Sequence, residues 1–193
     1  MAKEQSMRSH PDFQTPWAQA IIQNPDNKFV VEAAHKQYRE DTVTNSMFQY
    51  SLYTERGIKA HLSFYRPCKE PDAYLGTESC LLLSLGDGLD GKAGRVHGGF
   101  SGLVMDQVCG SCAHNSMPPP VILPPATATM TVDYKHVIDS PGLVLARAWM
   151  IEVSGRKLWV KGTIEDAKGN LCATAKTLFV APRLTAKDLE ARL

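Results

Sequence analysis

Asp106 is a carboxylate in the middle of HGGFSGLVMDQVCGSCAHN, residues 97–115, a stretch built mostly of apolar and small side chains. An ionised carboxylate in such surroundings is costly unless it is paired or used, and carboxylates in apolar clefts are common general bases. His97-Gly98-Gly99 opens the same stretch. At a helix start, unpaired amides and the positive end of the dipole face outward, and glycine lets a substrate carbonyl approach the backbone closely. Those are the requirements of an oxyanion site. His97 and Asp106 are nine residues apart, about 13 Å along a helix. One small substrate group cannot touch both within one subunit. A reaction that uses both needs the turn of one copy and the carboxylate of its mate, which a two-fold dimer supplies twice over.

The elements that must hold these groups can be read around them. Phe100, Leu103, Val104, Met105, Val108, Cys109, Cys112 and Ala113 occupy nearly every side of the helical wheel, which predicts a helix over about 97–115 buried on all sides. Asp106 shares a face with Gly99, Gly102, Leu103, Gly110 and Ala113. Ile58–Tyr65 alternates partly and Glu78–Leu85 is a continuous apolar run, so both read as strands. A glycine-rich loop, residues 86–94, separates them from the helix, and the five prolines of residues 117–125 make a connection. Then come four β-rich stretches: Thr127–Val137, Leu143–Val153, Lys157–Asp166 and Leu171–Ala181. Turn residues at 139–142, 154–155 and 167–170 suit antiparallel hairpins. An α+β arrangement follows, a curved antiparallel sheet of about five or six strands wrapped around one central helix. Residues 1–56 read as an N-terminal helical extension that packs on the main body, with short helices at Trp17–Gln23 and Phe29–Arg39. Residues 57–182 form the main domain and 183–193 a tail.

Several function classes drop out. The net charge of +1 gives no field for nucleic acid. Five cysteines (Cys68, Cys80, Cys109, Cys112, Cys172) show no disulfide framework, and free buried thiols suit a reducing compartment. No apolar run is long enough to span a bilayer, and the first residues resemble neither a signal nor a transit peptide. A cytoplasmic location is expected. Gly86-Asp-Gly-Leu-Asp-Gly91 fits GxGxxG, but it does not open a helix and its aspartates would repel a pyrophosphate. The lone Cys109-Gly-Ser-Cys112 lacks a second ligand pair for zinc. No HExxH, GxSxG or Walker motif is present. His35, His61 and His114 are scattered singly and read as structural.

The combination of HGG, Asp106 in a glycine-containing apolar helix, TATMTVDYKHVIDSPG and VSGRKLWVKGTIEDAKGNLCATAKTLFV resembles the acyl-CoA thioesterases of the hotdog superfamily, the phenylacetyl-CoA type and its eukaryotic relatives. SLYTERGIKAHLSFYRP and LLSLGDGLDGKAGRVHGG look like fungal-type members, and the resemblance covers roughly residues 45–182. It implies a hotdog fold and hydrolysis of an acyl thioester carried by coenzyme A or a carrier protein, in a homodimer or tetramer without metal or redox cofactor. By the same resemblance, the amide of Gly98 or Gly99 polarises the thioester carbonyl and His97 anchors the turn. Asp106 of the partner activates water or attacks the carbonyl, and Thr127 orients water or Asp106. Tyr134, Lys135 and His136, with Arg156 and Lys157, handle the coenzyme A portion, the basic side chains through charge-assisted hydrogen bonds to phosphate. Two rival readings share these residues: a hydratase, dehydratase or polyketide-tailoring enzyme using Asp106 as a base on carbon, and a non-catalytic acyl-binding protein.

Overall fold

The computed structural model describes residues 8–30, 47–117 and 124–183. Its order is a short helix α1 (Pro16–Ile22), strands β1 (Lys28–Phe29), β2 (Ile58–Pro67) and β3 (Thr77–Leu85), and a small hairpin of β4 (Asp90–Lys92) and β5 (Arg95–Val96). The central helix α2 (Gly98–Asn115) follows, then β6 (Ala126–Tyr134), β7 (Gly142–Ser154), β8 (Lys157–Asp166) and β9 (Leu171–Val180). Six long strands and the two-residue β1 form one antiparallel sheet in the order β1-β2-β3-β7-β8-β9-β6. This is the hotdog arrangement expected from the sequence, with one more strand than anticipated.

Helix α2 lies in the concave face, against β3, β7 and β8 at its centre and β6 and β9 at its side. Val104, Met105, Val108, Cys109 and Cys112 meet Leu81, Leu83, Ala146, Ala148, Val160, Ile164, Ala173 and Phe179 there. Gly162 in β8 makes the close approach feasible: a Cβ at this position would sit 2.9 Å from Cys109 Sγ and 3.2 Å from Met105 Sδ. The helix is not buried all round, contrary to its apolar wheel. Gly102, Leu103, Asp106, Gln107 and Gly110 are only half-buried and Gly99 is exposed. A stripe one helical face wide therefore stays open in the single chain.

The outer face of the sheet carries a second core. Phe13, Ala18 and Ile22 of the N-terminal extension pack on Ala60, Leu62, Phe64, Cys80, Leu82 and Leu145. Strand β3 is thereby covered on both sides, which is why Glu78–Leu85 reads as continuous rather than alternating, while β2 keeps an alternating burial. The expected helix at Phe29–Arg39 is corrected at its start, where Phe29 pairs with Phe64 as strand; residues 31–39 lie outside the described residues. The outer face at the far end is polar. Glu78, 2% exposed, accepts from Arg66 Nε at 2.6 Å and from Arg147 Nη2 at 2.7 Å. Arg147 also reaches Glu70 at 3.0 Å, and Trp149 Nε1 donates to Asp72 at 2.8 Å, so the loop after β2 is fastened across β3 and β7.

Candidate active site

Helix α2 starts at His97, as its sequence suggests, because the imidazole closes the first turn. His97 Nδ1 accepts from Gly99 N–H at 2.9 Å, the capping role usually filled by a short polar side chain. The turn is anchored from below by His97 N–H to Leu89 O at 2.8 Å. His97 O receives Phe100 N–H at 2.9 Å and Ser101 N–H at 3.3 Å. Of the two glycine amides considered for carbonyl polarisation, Gly99 is therefore occupied by the imidazole. Gly98 N–H has no acceptor among the described residues and is exposed. Because Nδ1 accepts, neutral His97 carries its proton on Nε2.

Strand β6 runs back along α2, and its two ends touch the two chemical groups. At its start, Thr127 Oγ1 donates to Asp106 Oδ1 at 2.8 Å. At its end, Tyr134 OH donates to Gly98 O at 2.9 Å. The other edge of β6 carries no strand among the described residues, and seven of its nine residues are exposed. Gly98 and Asp106 stay eight residues apart along one helix, about 12 Å, so one chain does not bring them to one reacting atom.

An open cleft of about 550 Å³ lies beside the helix start. His97, Gly98, Tyr134, Lys135 and His136 line it, joined by Lys92 and Arg95 of the β4–β5 hairpin. Sequence reading missed the last two, since GKAGR looked like plain loop. The expected strand Thr127–Val137 stops at Tyr134, because the amides of Lys135 and His136 both turn to Cys172 O. Arg156 and Lys157 are not in this cleft. Lys157 and Ala126 both pair with Val180, whereas Lys135 N–H bonds Cys172 O, so the basic pairs sit at opposite ends of β9. Arg156 donates to Ala181 O at 2.8 Å. Asp87, without evident duty in the sequence, pairs with Arg56 at 2.9 Å.

Cys109 and Cys112 are buried, and burial pushes their thiols up to about 12 and about 11, far from the reactive thiolate range. His61 packs against Tyr53 in a tilted arrangement with ring centroids 4.7 Å apart, and His35 lies outside the described residues. Among the described residues no group of three or more His, Cys, Asp or Glu gathers as metal ligands, and no helix is long and apolar enough to cross a membrane.

Comparison with known proteins agrees with this architecture. Residues 93–173, from the hairpin to the start of β9, match the thioesterase superfamily. Acyl-coenzyme A thioesterase THEM4 of Rattus norvegicus is 31% identical over 93 residues, 48% of this chain. The match spans 38% of that relative's length. In fold, the chain is similar to a phenylacetic acid degradation-related protein of Ralstonia eutropha, with a TM-score of 0.54 and 17% identity. That match covers 74% of this chain and 94% of the other. It is also similar to the PaaI protein of the Escherichia coli phenylacetic acid degradation operon, with a TM-score of 0.50 and 11% identity over 56% of this chain and 75% of that one.

Proposed function

We propose that the chain hydrolyses an acyl thioester, of coenzyme A or of a carrier protein, in an active site shared by two copies paired along β6. The observation that carries this reading is the attachment of Gly98 to the end of β6 and of Asp106 to its start. Antiparallel pairing of β6 with a second copy sets the Tyr134 end of one strand beside the Thr127 end of the other. The open amide of Gly98 then faces the partner's Asp106, twice per dimer. The half-open stripe on α2 and the uncovered edge of β6 are the surfaces such pairing would cover.

In this site Gly98 N–H donates to the thioester oxygen and stabilises the charge that develops there. Asp106, held by Thr127, takes a proton from water as the water oxygen bonds to the carbonyl carbon. The C–S bond then breaks and the proton passes to the departing sulfur, leaving the free acid and a thiol. Direct attack by the carboxylate expels the thiolate and leaves an anhydride on Asp106, which water then cleaves to the free acid while a proton passes to the sulfur, giving the same products. Lys135 and His136 of one copy, with Arg156 and Lys157 of the other, would flank the cleft and suit the phosphates of coenzyme A.

The test is thiol release from a panel of acyl-CoA and acyl-carrier substrates. Asp106→Asn should lower kcat at least about 100-fold with an unchanged melting temperature. Turnover that survives this substitution sinks the mechanism, and an altered acyl chain without thiol release points to chemistry at carbon instead.

A further inference from the structure

Tyr134 is 58% exposed and lines the cleft, a position that fits a substrate contact. Its contacts point elsewhere. The carbonyl of Gly98 and the N–H of Gly99 belong to one peptide group. Tyr134 OH holds the carbonyl at 2.9 Å, and His97 Nδ1 holds the N–H at 2.9 Å. Both ends of that single peptide are therefore gripped by aromatic side chains, one from the strand and one from the turn. The phenol lies beside two glycines, at ordinary contact distance from where their Cβ atoms would be: 3.4 Å from Gly98 to the Tyr134 ring and 3.6 Å from Gly102 to its hydroxyl. Gly98 and Gly102 are one helical turn apart, so they form a shallow groove on one face.

Glycine is the residue least able to hold its own backbone direction, and two in succession open this helix. We infer that Tyr134 is a positioning residue: with His97 it clamps the Gly98–Gly99 peptide, and together with the helix bonds to His97 O that holds the direction in which the neighbouring Gly98 N–H points. The inference rests on the proposed role of that amide. It adds a link from β6 to the catalytic donor, since the residue that aims the amide ends the strand along which two copies would pair.

Tyr134→Phe isolates the idea, keeping the ring over Gly98 and Gly102 and removing only the hydroxyl. A lost neutral hydrogen bond corresponds to roughly a five- to tenfold effect. The full-length variant should show kcat reduced by about that factor and KM within about twofold of wild type. Amide hydrogen exchange at Gly99, followed by NMR, should quicken by a similar factor, while dimer mass and melting temperature stay put. Unchanged kcat with unchanged Gly99 exchange overturns the clamp. A rise in KM alone overturns it too, because that marks a substrate contact. If Asp106→Asn still hydrolyses thioester, the functional reading fails, and Gly99 exchange alone then decides the clamp.

Discussion

Gly162 shows how a single missing methyl sets the depth of the helix in its sheet. A Cβ there would meet Cys109 Sγ at 2.9 Å, Met105 Sδ at 3.2 Å and Arg147 O at 3.3 Å. The methionine can swing aside, whereas the helix-borne Cys109 and the strand carbonyl cannot do so cheaply. Gly162→Ala should therefore destabilise the fold by about 1–3 kcal/mol, read as a lower urea midpoint at unchanged slope. Asp106 sits one turn before Gly110 on the same helix, so activity should fall along with stability if α2 lifts. At this scale much of the site was legible. An aspartate in an apolar helix and a glycine pair behind a histidine are both visible in the bare string. The Thr127–Asp106 and Tyr134–Gly98 hydrogen bonds were not, because they join residues 21 and 36 positions apart, and periodicity carries no information about such pairs.

Among the elements, the strands and the central helix follow their sequence signals closely, and the exceptions share a cause. Where a strand is covered on both faces, as β3 is, alternation vanishes and only length and flanking turns identify it. Where the chain leaves the ladder, as at Lys135, β-propensity continues although pairing stops. The β4–β5 hairpin has too few residues to show any period. The loop after β2 gave no signal of its role in binding strands together. Burial alone would push the Glu78 carboxyl up, but the guanidinium groups of Arg147 and Arg66 outweigh it and hold it below the ordinary range. Its depressed value means stability is fully present above the ordinary glutamate value of 4.5 and is lost as pH falls through the lower folded value. Urea midpoints should thus be level near neutrality and drop under acid. Glu78→Gln should cost about 1–3 kcal/mol near neutrality, because it removes the carboxylate charge that half-buried Arg66 and Arg147 share while Arg147 keeps Glu70, and should weaken that acid dependence. A variant with the same acid profile as wild type would remove this group from the account.

Taken whole, the molecule is one sheet with two unlike sides. Over β2, β3 and β7 its outer face is covered by the chain's own N-terminal residues and by the loop fastened through Glu70 and Asp72, while among the described residues its inner face leaves one helix stripe and one strand edge uncovered. Gly98 and Asp106, the two groups of the proposed site, are held at opposite ends of β6. That separation permits genetic complementation between two dead chains. Gly98→Pro deletes the open N–H at the helix start; proline is favoured at the first helical position, and His97, at φ −63° and ψ 133°, already has the conformation a following proline demands. Asp106→Asn deletes the carboxylate. Neither homodimer should turn over, but a mixed dimer holds one wholly intact centre and one doubly defective one. Unfolding and refolding an equimolar blend should then restore about a quarter of the wild-type rate, since random association yields roughly half hybrids with one working centre of two. Blends that stay silent, beside hybrids verified by native mass spectrometry, would mean that each chain works alone or not at all.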